Sequence, residues 1–376
     1  MKTFILFLIL AAHAAAQTLP LPPRPSAAPT GSALYPILAP LSRAAREDTI
    51  YRQVMRGNIP DFQRSLVKVA TVRTINGTSY TLEYYVTPEY LSLGHDTDYV
   101  LMPMTPLLAQ KLANALGCTL PTPRMVDQIY SASTLRLAPQ PIPPDANMTM
   151  MPRFYQHNDS VRALRAPRLG THPCGTLVGG TKKDVVIDKK VYSWLKSSVP
   201  KPVVIYGWQY LTGVPIQPTY NGHEETYADY SHGVRLVQRA ARINGAEISL
   251  LDIVKDPVMS PLISDTALVK PYYGSLTEAN RLPAPVPQRT ELLQNFPNPF
   301  NPATEIGFHL GADSRTTLKV YDSVGREIAT LVDEELQAGA YAVRFDREAA
   351  ALSSGIYFYR LHTPTYSHTQ RMVLLR

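Results

Sequence analysis

The chain has 376 residues, 45% of them hydrophobic and 18% charged, and a formal net charge of +7. That length accommodates two domains, and two cysteines are too few for a disulfide-dense scaffold. From Gln288 onward 9 basic residues face 10 acidic ones, so the positive excess lies in the front part. No basic run with interleaved aromatics marks a nucleic-acid binder, so no nucleic-acid partner is expected. A mildly basic surface suits acidic polysaccharide, lipopolysaccharide or cell-wall material, although solvated surface charge gives the same composition.

Lys2, the apolar run Phe4 to Ala12 and the small residues Ala14, Ala15 and Ala16 predict a cleavable signal peptide over residues 1–16. The run is shorter than the ~20 residues a spanning helix needs. No later segment reaches that length without charges, so the mature protein is expected to lack a transmembrane segment. Residues 17–40, rich in Pro and Ala, read as an exposed, extended leader.

A central α+β domain is expected over 41–282. It opens with a helix from Ala44 to Met55, ended by Gly57 and Pro60. Strands at Leu66 to Val72 and Ser79 to Val86 follow, joined by Asn76-Gly77, a strong hairpin signal. Thr105-Pro106 and Thr122-Pro123 each read as an N-cap followed by proline at the first helical position, predicting helices to Leu116 and Ala132. Residues 138–144 are a proline-rich loop. Val185 to Ile187 and Val203 to Tyr206 are β-branched runs suited to a buried sheet. Residues 213–218 read as a loop, 233–237 as a short strand and Asn244-Gly245 as a turn. A proline-containing linker is expected over 283–290.

Two segments of the central region concentrate polar chemistry. Residues 221–235 hold His223, Glu224, Glu225, Asp229, Ser231, His232 and Arg235 in what reads as a loop between Gly222 and Gly233. Titratable groups gathered at a loop mark a candidate site. His232 is the candidate general base and Asp229 its orienting partner, with His223 and Arg235 available to bind or polarise substrate. The second segment, residues 170–184, is glycine-rich and ends in Lys182, Lys183 and Asp184. A lysine there could hold a carboxylate or an oxyanion. Either segment also reads as solvated surface or a glycine turn. Trp208, Tyr206, Tyr227 and Tyr230, with Tyr210 and Tyr220, would form a binding platform if they shared a cleft, or pack in the core. Cys118 and Cys174 are a candidate disulfide; two reduced thiols or a Cys174–His232–Asp229 triad are the alternatives. Gly-x-Ser-x-Gly, phosphate-loop and zinc-ligand spacings are absent, so no metal site or cofactor can be named.

The last 86 residues alternate in the manner of strands: Tyr341, Val343 and Phe345 against Ala342, Arg344 and Asp346, and Gly355 to Leu361 with apolar residues on both faces. They also carry several spaced motifs: Asn295, Pro297, Asn298, Pro299, Phe300, Asn301 and Pro302; a turn from Tyr321-Asp322 to Gly325-Arg326; Gly339; Gly355-Ile356-Tyr357; and a basic-apolar end at Arg371 to Arg376. In this order they resemble the type A C-terminal sorting domain of type IX secretion cargo, found in Bacteroidetes and their relatives. The resemblance covers residues 291–376. It implies a small immunoglobulin-like β-sandwich read by the type IX secretion machinery, and a secreted or outer-surface location. In many cargo proteins it also implies removal after export, with release or attachment to lipopolysaccharide.

The expected architecture is multidomain, with the α+β central domain followed by the sandwich. For the central domain the sequence supports an extracellular hydrolase acting on peptide, peptidoglycan or polysaccharide. A non-catalytic adhesion or glycan-binding module is the alternative, and a structural envelope protein the third reading.

Overall fold

The computed structural model describes residues 17–192, 202–273, 280–282, 287, 289–301, 303–336, 338–346 and 352–375. The expected signal peptide, most of the expected linker and Pro302 lie outside them. The chain divides into two compact units, one of residues 1–109 and 116–271, the other of 110–115 and 272–376.

In the first unit, helix α1 (Arg43–Met55) is capped by Ser42, whose side chain accepts from Ala45 N. Strands β1 (Val67–Ile75) and β2 (Thr78–Val86) pair antiparallel around Asn76-Gly77. Both turn residues adopt positive φ, 49° and 81°, which a two-residue hairpin turn of this twist requires. Leu82, Tyr84 and Val86 of β2 are buried while the residues between them stay accessible. Thr105 and Thr122 cap α2 (Pro106–Ala115) and α3 (Pro123–Ala132), their hydroxyls accepting from Leu108 N and Met125 N; residues 110–115 of α2 count with the second unit. Strand β3 (Cys118–Thr119) follows α2. Met125, Val126, Ile129 and Tyr130 form the buried face of α3.

The longest helix of this unit, α4 (Met151–Arg165), has no simple apolar stripe. Phe154 and Val161 share its buried face with His157, Asn158 and Arg165. Strands β4 (Lys183–Val185), β5 (Pro202–Gln209), β6 (Pro215–Glu224) and β7 (His232–Gly233) build one sheet in the order β6-β5-β4-β7. In it β7 runs parallel to β4 and the other pairs are antiparallel. Strands β8 (Val237–Gln238), β9 (Ala240–Ile243) and β10 (Ala246–Ser249) join β1, β2 and β3 in a second sheet.

Three expectations need correction here. Residues 17–40 are largely exposed but not uniformly extended: Ser32–Leu34 and Tyr35–Leu38 are helical turns, Leu19, Leu34 and Leu38 are buried, and Arg24 donates to Asn58 Oδ1 and the carbonyls of Ala28 and Gly94. The prolines between these leucines stop long helices but do not stop apolar side chains from packing. Residues 215–218 belong to β6, so His223 and Glu224 end a strand and only residues 225–231 form the loop. Finally, this compact unit ends at Pro271, and β11 (Asn280–Leu282) pairs with a strand of the second unit.

The second unit is a two-layer antiparallel sandwich. One sheet holds β11, β12 (Glu291–Leu292), β13 (Ala303–Leu310) and β16 (Gly339–Asp346). The other holds β14 (Ser314–Tyr321), β15 (Glu327–Leu336), β17 (Gly355–Thr363) and β18 (Tyr366–Leu374). Ile306, Phe308, Val343 and Phe345 of the first sheet share one core with Leu318, Val320, Tyr359, Leu361 and Met372 of the second. Strand β17 is internal to its sheet, between β14 and β18, but only its Tyr357, Tyr359 and Leu361 face is buried; Ile356 is 45% exposed.

Candidate functional site

The two polar segments meet across the β4–β7 pair. His232 lies opposite Lys183, and Gly233 opposite Asp184, in parallel register. A Cβ at Gly233 would fall 2.4 Å from the Tyr90 ring and 2.9 Å from Lys182 Cβ, so only glycine lets β7 come this close. His232 is fully buried, and neither ring nitrogen has a hydrogen-bond partner among the described residues. Its Nε2 lies 3.9 Å from Asp229 Oδ2. Asp229 Oδ1 accepts from the Ser231 amide at 2.7 Å and the Ser231 hydroxyl at 2.5 Å.

Burial lowers the His232 pKa to about 4, so the ring is neutral near pH 7. Burial alone would raise Asp229, but His232, Ser231 and Lys183 together leave its carboxyl lowered and ionised. Lys182 is fully buried; its Nζ donates to Tyr230 O at 2.6 Å and lies 3.4 Å from His157 Nδ1. Burial brings this amine down to about 7. Lys183, half-buried and also lowered by burial, stands over the Trp208 ring at 5.3 Å.

His157, Trp208 and Tyr230 complete the wall, with ring centroids 5.1–6.3 Å apart. Trp208 holds a φ of 59°, a left-handed conformation that bulky side chains rarely adopt and that concentrates at functional sites. The Trp208 indole N–H and His157 Nε2 are both buried without partners among the described residues. Above His232 lies Tyr227, edge-on at 5.7 Å and itself stacked on His223 at 4.0 Å. Tyr227 and Ala228 also line a cleft of about 560 Å³ whose other walls come from residues 39–47, 103–105 and 149–154.

The structure therefore brings His232, Asp229, Lys182, His223, Trp208, Tyr227 and Tyr230 into one neighbourhood, and adds His157, which sequence reasoning did not single out. His157 sits on α4, whose buried face is too polar to show a helical pattern. Arg235 and Tyr206 do other work. Arg235 is buried, donates to the carbonyls of Thr87 and Val178, both at 2.8 Å, and stacks on Tyr90. It holds strands together and is not presented to a substrate. Tyr206 donates its hydroxyl to Asp127. An open aromatic platform does not form, because Trp208 and Tyr230 are buried.

Cys118 and Cys174 are unbridged. Cys118 is buried in β3 beside Arg239 and its thiol is pushed up to about 12 by burial. Cys174 is half-buried near Arg165 and Glu89. Burial raises the Cys174 thiol above its ordinary value, the opposite of what an activated nucleophile needs. Among the described residues no group of three or more His, Cys, Asp or Glu could hold a metal ion.

In the second unit the asparagine–proline motif is built into the sandwich. Asn295 is buried; its amide donates to the Tyr359 hydroxyl, and its side chain donates to Thr304 Oγ1 and Pro297 O. Phe300 fills the shared core, and its N–H donates to Val373 O. Asn298 Oδ1 accepts from Val373 N, so the motif clasps the last strand. Asp322 closes its turn by accepting from Val324 N, Arg326 N and Arg326 Nε, with Gly325 at φ 84°.

Residues 294–375 match the secretion system C-terminal sorting domain. The sorting domain of type IX secretion is thus present, and with it a point of interaction with that machinery. The protein is secreted or held at the outer cell surface. Among the described residues no helix is long and apolar enough to cross a membrane. No curated protein matches the chain. Among solved structures, the first immunoglobulin domain of mouse SynCAM 2 is 12% identical and covers 23% of this chain and 94% of its own, with a TM-score of 0.16, too low to carry an argument.

Proposed function

We propose that the central unit of this exported protein is a hydrolase acting on an extracellular polymer, with His232 as the base and Asp229 as its electrostatic partner. In this reading neutral His232 takes a proton from water as the water attacks, and returns it to the leaving group. Asp229 stabilises the imidazolium in between. Lys183 and the unpaired N–H groups of Trp208 and His157 are suited to hold a developing negative charge. The observation that carries the reading is His232: a buried imidazole with both nitrogens unpartnered, beside an ionised carboxylate. The adhesion reading needs the aromatics to form one open surface; Trp208 and Tyr230 are buried, but so is His232, so burial does not decide between the two readings. We also read the sandwich as immunoglobulin-like, on its two antiparallel sheets and common core.

The test compares the full mature chain with its His232→Ala and Asp229→Asn variants on peptidoglycan, casein and a polysaccharide panel. General acid–base catalysis is worth about 10²–10⁴-fold, so turnover should fall by that much in both variants. Turnover by the variants equal to wild type, or none by wild type on any substrate, refutes the proposal.

A further inference from the structure

The cleft beside Tyr227 has a volume of about 560 Å³, within the range of small-ligand sites. Its lining is amphipathic. Met150, 50% exposed, and Pro152 offer apolar contact, while Ser42 and Thr226 offer hydroxyls. Arg43 and Arg46 come from the first turns of α1. The Arg46 guanidinium lies over the Phe154 ring at 5.4 Å, which fixes the plane of the fork. Among the described residues its side chain bonds only Thr149 O, at 3.4 Å, so most of its donors remain uncommitted. Burial lowers its pKa, an effect opposed by the nearby Glu47 and reinforced by Arg43.

The nearby acid, Glu47, attracts Arg46 electrostatically but makes no hydrogen bond to it among the described residues. Its two oxygens accept from Thr105 N at 2.7 Å and Thr105 Oγ1 at 2.9 Å, and Arg43 is 3.8 Å away. Glu224, exposed and also lining the cleft, is available to accept from a ligand hydroxyl.

We infer that this cleft binds a carboxylate-bearing sugar of an extracellular polysaccharide, with Arg46 and Arg43 pairing its carboxylate. Arginine's planar fork matches a carboxylate at two points, and the mixed hydroxyl and apolar lining matches the two faces of a sugar ring. A peptide fits less well. Apart from Glu224 at the end of β6, the walls are loops and helix starts, which give no strand edge for main-chain pairing. The inference rests on the proposed catalytic role of His232 and Asp229, because Tyr227 walls the cleft and also covers His232.

Calorimetric titration of the full chain with oligogalacturonate, alginate and hyaluronan fragments, each beside its methyl ester, tests it. At least one acid form should bind tenfold or more tighter than its ester. Arg46→Gln should lose at least tenfold, Arg46→Lys should recover part of that, and Arg326→Gln in the sorting domain should change nothing. Equal affinity for acid and ester, no binding by any acid form, or unchanged affinity in Arg46→Gln overturns the inference. His232→Ala separates the two readings. Binding kept by this variant, with no turnover by wild type, sinks the hydrolase and leaves the cleft. Turnover by wild type that Arg46→Gln leaves unaltered sinks the cleft and leaves the hydrolase.

Discussion

Replacing Arg235 by methionine tests its structural role. The variant keeps an apolar stem but loses the guanidinium, and with it the charged hydrogen bonds to Thr87 O and Val178 O and the stacking on Tyr90. It also strands Asp184, whose Oδ1 lies 3.9 Å from Arg235 Nε. Breaking a buried pair from one side costs about 3–5 kcal/mol, so a loss of about 4 kcal/mol is expected near pH 7.5. The loss should depend on pH. Burial already raises Asp184 to about 6 in the presence of Arg235, and removing the arginine raises it further. A carboxyl with a raised folded-state pKa binds more protons folded than unfolded, so its destabilising effect grows as pH climbs through that window. At pH 5 the carboxyl is protonated in the folded variant, and about 2 kcal/mol from the hydrogen bonds should remain. Urea unfolding followed by tryptophan emission measures this. Both tryptophans, Trp194 and Trp208, precede Pro271, so the signal reports the first unit alone. A loss under about 1 kcal/mol at pH 7.5, or one that does not shrink at pH 5, refutes the assignment.

Three further outcomes follow from the same structure. Thr122→Ala removes the α3 cap and should cost about 1 kcal/mol in the same assay. Lys182, at about 7 folded against 10.5 unfolded, binds fewer protons folded, so stability should rise from pH 7 towards 10; Lys182→Met should flatten that rise. Thiol titration of the unreduced protein in denaturant should count both cysteines, with Cys118 protected in the native state; a count of zero would restore the disulfide.

Legibility from sequence followed how local the cause was. The Asn76-Gly77 hairpin and the Thr-Pro helix starts depend on a few adjacent residues, and the structure places them as read. In the sandwich β16 was legible because Tyr341, Val343 and Phe345 alternate against one core, and the sandwich as a whole came from the family resemblance. Helix α4 was not, because His157, Asn158 and Arg165 take inward positions where an amphipathic pattern needs apolar ones. Tertiary partners decide such cases: Asn158 Oδ1 accepts from Leu101 N. Arg235 looked like a surface ligand because sequence does not reveal that two strand-end carbonyls await its guanidinium. The convergence of residues 170–184 and 221–235 was equally hidden, since it follows from the parallel pairing of β4 and β7.

Deleting Gln288 to Arg376 and quantifying the protein in medium, surface and periplasmic fractions tests the export account most directly. The truncated chain should accumulate in the periplasm and be lost from the outside. Normal amounts in the medium or on the surface would contradict it.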